Sequence, residues 1–122
     1  MSLSDSVENE MIQDFVTRHP VLYVALSTAD PGDDGSGIAE PTDPAYLRQL
    51  VGDVTITGNE LTNDVGIQFP TSTEDQGTIT YAALFSAESG GTYLGCGAIT
   101  PTACPDNTIF LIASDTVILS MD

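Results

Sequence analysis

The spacing of apolar positions changes once along the chain, at Pro20. Before it, Val7, Met11, Ile12 and Phe15 recur at helical intervals, with Glu8, Glu10 and Asp14 mostly off that stripe. Asp5 followed by Glu8 matches a capping box, Leu3 is placed to staple it, and Arg18 and Pro20 suit the far end of a helix. After Pro20, residues 21–26 form a short continuous apolar run rich in strand formers, the pattern of a buried strand. Residues 30–37 read as loop, and turn-rich sequence continues through Pro41 and Pro44. Residues 46–51 fit the start of a strand or a short helix, and Val54, Thr55 and Ile56 fit a strand. Val65, Ile67 and Phe69 alternate with Gly66 and Gln68 as in a half-buried strand that ends at Pro70.

The clearest hairpin follows. Residues 78–87 alternate, placing Ile79, Tyr81, Ala83 and Phe85 on one face. Glu88, Ser89, Gly90 and Gly91 make the turn, and residues 92–100 return. Residues 108–113 and 116–121 flank Ser114 and Asp115 as a further hairpin. One helix followed by about seven short antiparallel strands predicts a mainly β fold, an Ig-like or jelly-roll-like β-sandwich. The sequence shows no linker and no internal repeat. It therefore reads as a single domain over residues 1–122, with the helix in 1–19 and the sandwich in 20–122.

Composition narrows the function. At 41 % hydrophobic residues in 122, the chain has enough apolar surface to fold, unlike an acidic disordered tail. Against 18 Asp and Glu stand 2 Arg and no Lys, for a net charge of -16. Such a surface repels phosphate, which excludes direct binding to nucleic acid or to an anionic membrane. The apolar runs are far shorter than the roughly 20 residues of a membrane helix. The first ten residues lack the basic and apolar regions of a signal peptide, so the expected route out of a cell is not a cleaved leader.

Carboxylates spread through the whole chain repel one another at ordinary ionic strength. In molar salt, where the Debye length is about 3 Å, that repulsion is largely screened. The charge and the lack of Lys point to a saline habitat, that of a halophilic archaeon or its virus. The alternative is a mesophilic acidic protein that stays monomeric by charge.

Candidate chemistry is sparse. Nucleophilic catalysis would need His19, the one histidine, which sits at a helix end with no serine motif beside it. Paired carboxylates suit glycosidase chemistry, but among 18 some pair always looks plausible, and a solvated acidic surface explains them better. Cys96, Cys104 and His19 do not have zinc-site spacing. Asp30, Asp33 and Asp34, on a turn with Gly32, Gly35 and Gly37, are the candidate hard-cation ligands. Their spacing misses the EF-hand pattern, because Pro41 occupies the twelfth position from Asp30 and Glu40 comes one place early. Cys96 and Cys104 fit either a disulfide worth roughly 2–3 kcal/mol or two thiols kept free in a reducing cytoplasm. No catalytic residue and no cofactor site is expected.

Three stretches carry a resemblance. Residues 21–51 combine an apolar strand, an acidic Gly-rich loop, Tyr46 and the pair Arg48 and Gln49. Residues 62–100 hold a strand ending in Phe69 and Pro70, a strand opening at Gly77 and Thr78, the Gly90 and Gly91 turn and a returning strand. Residues 106–122 end in a hairpin closing on Asp122. In these features, and in the opening helix, the chain resembles a family of small proteins encoded by tailed viruses and labelled tail fibre or virion structural proteins. It departs from that pattern at Gln76, where a Trp is usual, and in lacking a basic residue in the loop that starts at Pro101.

The resemblance implies a virion component, made in the host cytoplasm, with no catalytic residue to carry over. The expected role is an outward-facing capsid decoration or turret protein of a tailed haloarchaeal virus. A tail or tail-fibre component is the alternative, and a stand-alone ligand-binding sandwich a further one. The expected partners are copies of itself, other virion proteins and the host cell surface. Val7, Met11 and Phe15 are the interface candidates, unless they close the domain's own core. Asp33, Glu74 and Ser89 mark the exposed loops that would meet a host.

The charge argument makes a direct prediction. The melting temperature should rise steeply between 0.1 M and multimolar NaCl in a thermal melt followed by circular dichroism; an unchanged midpoint would contradict a fold adapted to brine.

Overall fold

The structure, a computed structural model, describes residues 3–120. Its one helix, α1 (Asp5–Arg18), is capped by Ser4 rather than by Asp5: the Ser4 backbone is extended and its hydroxyl accepts from the Val7 N–H at 3.3 Å. Asp5 and Glu8 then fall in the first turn and Arg18 in the last, each favourable to the helix dipole. The helix is also rotated from the expected orientation. Ile12 and Glu8 face inward, and the Glu8 carboxylate accepts from the Asn59 side chain at 3.2 Å. The Asn9 side chain donates to the Gly58 carbonyl at 2.7 Å, which fastens α1 to the turn at Gly58 and Asn59.

Nine strands follow: β1 (Tyr23–Ser27), β2 (Gln49–Leu50), β3 (Val54–Thr57), β4 (Glu60–Asn63), β5 (Ile67–Gln68), β6 (Thr78–Phe85), β7 (Tyr93–Ala103), β8 (Leu111–Ile112) and β9 (Val117–Ser120). They make a four-stranded sheet in the order β2-β1-β6-β7, a three-stranded sheet β3-β4-β9 and a pair β5-β8, all antiparallel. This is the expected mainly β sandwich with an N-terminal helix. The main core gathers Val24 and Leu26 of β1, Ile79 and Leu84 of β6, Leu61 of β4, Ile67 of β5, Ile12 of α1, and Phe69 and Phe110. A second cluster, Ala25, Ala83 and Phe85 with Ile38 and Tyr93, lies on the opposite face of the four-stranded sheet. Because β1 is covered on both faces, it reads as a continuous apolar run rather than an alternation.

Two expectations need correction. The face expected to hold Ile79, Tyr81, Ala83 and Phe85 is split, because the β6–β7 register shifts between Ile79 and Tyr81. Two steps along β6 there match four along β7, and across this irregularity the alternation breaks, sending Ile79 into the main core with Leu84 while Ala83 and Phe85 join the other cluster. Residues 108–121 do not form a hairpin either: β8 pairs with β5, and β9 pairs with β4. The buried Asn63 side chain redirects that segment, donating to the Val65 and Ala113 carbonyls (both 2.9 Å) and accepting from Thr116 N–H at 2.8 Å. Met121 and Asp122, the end of the expected last strand, lie outside the described residues.

The stretch from Glu40 to Gln49, turn-like in sequence, ties the loops to the sheets. The Asp43 carboxylate is buried and collects donors from two segments. Its oxygens accept from the Ala45 N–H (3.0 Å), the Thr73 N–H (2.8 Å), the Thr73 hydroxyl, the Glu74 N–H (3.3 Å) and the Gln76 side chain (2.9 Å). Gln76, at the position where the resembling family has Trp, is thus a buried polar bridge, and its Oε1 also accepts from the Cys104 thiol at 3.3 Å. Next to it, Tyr46 stacks on Phe69 with ring centroids 6.2 Å apart. Its hydroxyl accepts from the Leu26 N–H at 3.0 Å, just past the point where β2 stops pairing with β1. Burial pushes the Tyr46 hydroxyl pKa well up, so it stays protonated.

The Thr73 hydroxyl, above all, holds the Asp43 carboxyl well below the usual carboxylate range. A depressed native pKa contributes stability that is present above about pH 4 and fades as pH falls toward the native value. The variant Asp43→Asn should therefore melt several degrees below the wild type at pH 6, and the gap should narrow as pH drops from 4 to 2. A gap independent of pH in parallel thermal melts would contradict this role of the ionised carboxylate.

Candidate assembly surfaces

Arg48 is one of only two basic residues in the chain, and its side chain is 12 % exposed. Its Nε and Nη2 lie 2.9 and 2.8 Å from one Glu40 oxygen, and its Nη1 donates to the Ala87 (3.1 Å) and Gly90 (2.9 Å) carbonyls. The guanidinium sits 3.6 Å over the centre of the Phe85 ring. Arg48 thereby binds the β6–β7 turn to the 40–48 segment. From the other side of that turn, the Tyr93 hydroxyl donates to the Gly32 carbonyl at 2.8 Å. Gly35 lies under the Tyr93 ring with φ +78°, where a Cβ would approach the ring to 2.7 Å; a side chain there would push the loop off. Residues 30–38 and 86–92 therefore make one pinned end of the sandwich, with Asp33 and Ser89 exposed on it. Glu74 is exposed on the neighbouring loop held by Asp43.

The cation candidates behave differently from expectation. Asp30 accepts from the Gly32 N–H and Asp34 from the Ser36 N–H, both at 2.9 Å, so each carboxylate closes its own turn. The contact with Ser36 lowers the Asp34 pKa. Among the described residues no three His, Cys, Asp or Glu side chains converge as metal ligands, and Asp30, Asp33 and Asp34 do not form a site.

Cys96 and Cys104 are both free, the first exposed and the second buried. They do not bridge because Cys96 lies within the extended β7 and Cys104 just past its end, on the order of 20 Å apart at about 3.3 Å per residue. Burial pushes the Cys104 thiol pKa up. The His19 ring packs against Phe15 at 5.0 Å.

Of the interface candidates, Phe15 packs against the domain's own core. Val7 (39 %) and Met11 (44 %) stay exposed, and with Leu3 (52 %) they form an outward row on and just before α1. Leu3 thus does not act as a staple.

A second surface was not singled out from the sequence. β7, 11 residues long, pairs with β6 on one side, and among the described residues no strand pairs with the other. Beside it runs a groove of about 200 Å³, lined by Val24, Ala82, Leu84, Gly97, Ile99 and Ile118. A Cβ at Gly97 would meet no atom within 4 Å, so the groove is open there. From Ser89 to Pro105 the sequence has no Asp, Glu, Lys or Arg, the longest such stretch in the chain. That charge-free run was the available signal.

One protein-family model, described as Podophage GP4 fiber I protein gp80, matches residues 2–120. No curated protein matches the chain.

Arg48 generates the prediction for this end of the molecule. Arg48→Met keeps an apolar stem but loses the cation over Phe85, the Glu40 pair and both carbonyl contacts. It should cost about 2 kcal/mol in denaturant unfolding and open the 87–90 turn to limited proteolysis. Wild-type stability and cleavage would contradict the clamp.

Proposed function

We propose, because this chain belongs to the podophage GP4 fiber I protein gp80 family, that it works as a non-catalytic structural subunit of a tailed-virus fibre. The observation that carries this reading is the reach of the family match, residues 2–120, over nearly every element of the fold. The family's description names a fibre, so the tail-fibre alternative takes the place of the capsid decoration or turret first expected.

The structure supports a packing role over a chemical one. The buried polar side chains of Asp43, Asn63, Ser72 and Gln76 are each engaged in joining loops to one another. The exposed apolar row on α1 and the neutral β7 edge offer contact area to other subunits. The acidic pinned end, with Asp33 and Ser89, is the part suited to face the medium and a host surface. A charge of -16 fits a particle that works in brine.

Antibody raised against this chain and visualised with gold on purified virions tests the assignment. Label confined to the tail, at a handful of copies per particle, is the expected result. Label distributed over the capsid shell would overturn it.

A further inference from the structure

We propose that β7 is the contact between two copies of this chain, pairing antiparallel with the β7 of a second copy about a two-fold axis that crosses the middle of the strand. This deepens the fibre-subunit reading, on which it rests, by naming the partner and the surface.

The first argument is the edge itself. A long strand with one unpaired side presents a row of backbone donors and acceptors that only another strand can satisfy in full. Proteins that keep such an edge monomeric place charges, bulges or Pro on it. Here the register with β6 shifts at Tyr93 to Gly95 and again between Ala98 and Thr102, where Pro101 lies; Gly95 to Ala98, at the middle of the strand, stay regular, and Tyr93 to Thr100 carry no charged residue.

The second argument is electrostatic. Two copies that each carry -16 repel wherever carboxylates face one another. The stretch from Ser89 to Pro105 is the one long part of the surface where they meet without that cost. A basic partner would find no acidic group on this strand to select it.

The third argument is length. The other strands that end a sheet, β2, β3, β5, β8 and β9, have two to four residues, so among the described residues only another β7 matches the length of β7. Pairing β7 with itself requires the two-fold, which keeps the same face of both strands on one side. Leu94 and Ile99, which pack toward the main core, then extend a shared apolar face, and the two grooves open toward each other.

The axis brings the centres of the two strands together and separates their ends. Cys96 and Ala98, near the centre, are exposed and two residues apart on one face. With the axis at Gly97, Cys96 of each copy faces Ala98 of the other, and facing residues of an antiparallel pair have Cα atoms about 4.5–5.5 Å apart, within reach of a disulfide.

Sedimentation in molar NaCl should show a dimer of the wild-type chain. Mild oxidation followed by non-reducing electrophoresis should give a linked dimer for Ala98→Cys beside the native Cys96. Thr102→Cys beside the native Cys96 should stay unlinked, because position 102 lies four residues along the strand from the one that faces Cys96. A monomer at every concentration, or linkage through position 102 equal to that through position 98, would overturn the proposal. If the dimer fails while gold label still marks the tail, only the β7 contact falls. If the dimer forms and the label marks the capsid, the fibre assignment falls and the contact stands.

Discussion

The fold depends most on the nine residues from Glu40 to Arg48, a segment without regular structure that holds everything around it. Asp43 gathers the loop that carries Thr73, Glu74 and Gln76. Tyr46 supplies the acceptor that β1 lacks where β2 ends, and Arg48 grips the β6–β7 turn. Each contact joins parts of the chain 20 to 42 residues apart in sequence, so each fixes a loop that local propensity leaves open. Hydrogen bonds to ionised groups contribute more than neutral ones, and breaking one leaves a buried charge without its partner. In a chain with so few bases, Arg48 is the cation around which one end is arranged.

Charge sets the second constraint. A small sandwich with a net charge of -16 keeps most of its carboxylates outward, Glu8 and Asp43 excepted, and has little to hold copies together by electrostatics. What remains for the proposed assembly is neutral and apolar surface, which includes the row of Leu3, Val7 and Met11 and the β7 edge with its groove. β7 begins at Tyr93, which itself pins the Gly32 loop, so this edge adjoins the clamped end.

Much of the architecture was legible in the sequence. The helix, the buried strand after Pro20 and the β6–β7 hairpin all follow from period and turn chemistry, because each is governed by local pattern. The misses have physical causes. β4 has Leu61 as its only apolar residue and shows no alternation, so its place between β3 and β9 comes from tertiary pairing. The irregularity where two steps of β6 match four of β7 exchanges the two faces of β6, which no period-two reading detects. Asn63 looks like a turn residue but redirects the last strands through contacts made 50 residues away. At the surface, Asp33, Glu74 and Ser89 are exposed and lie outside the strands. Phe15 turned inward because α1 docks through Ile12, and Glu8 went inward with it to meet Asn59. The β7 edge was hidden because the sequence shows that a strand exists but not which strand ends a sheet.

The family match and the neutral edge support the account proposed above, in which a clamped acidic sandwich serves a viral fibre by touching its own copies. Electron cryomicroscopy of the intact virion tests it most directly. The account predicts this fold in tail-fibre density, with β7 against a neighbouring copy and residues 30–38 and 86–92 facing outward. The same fold seated in the capsid shell, with β7 open to solvent, would contradict it.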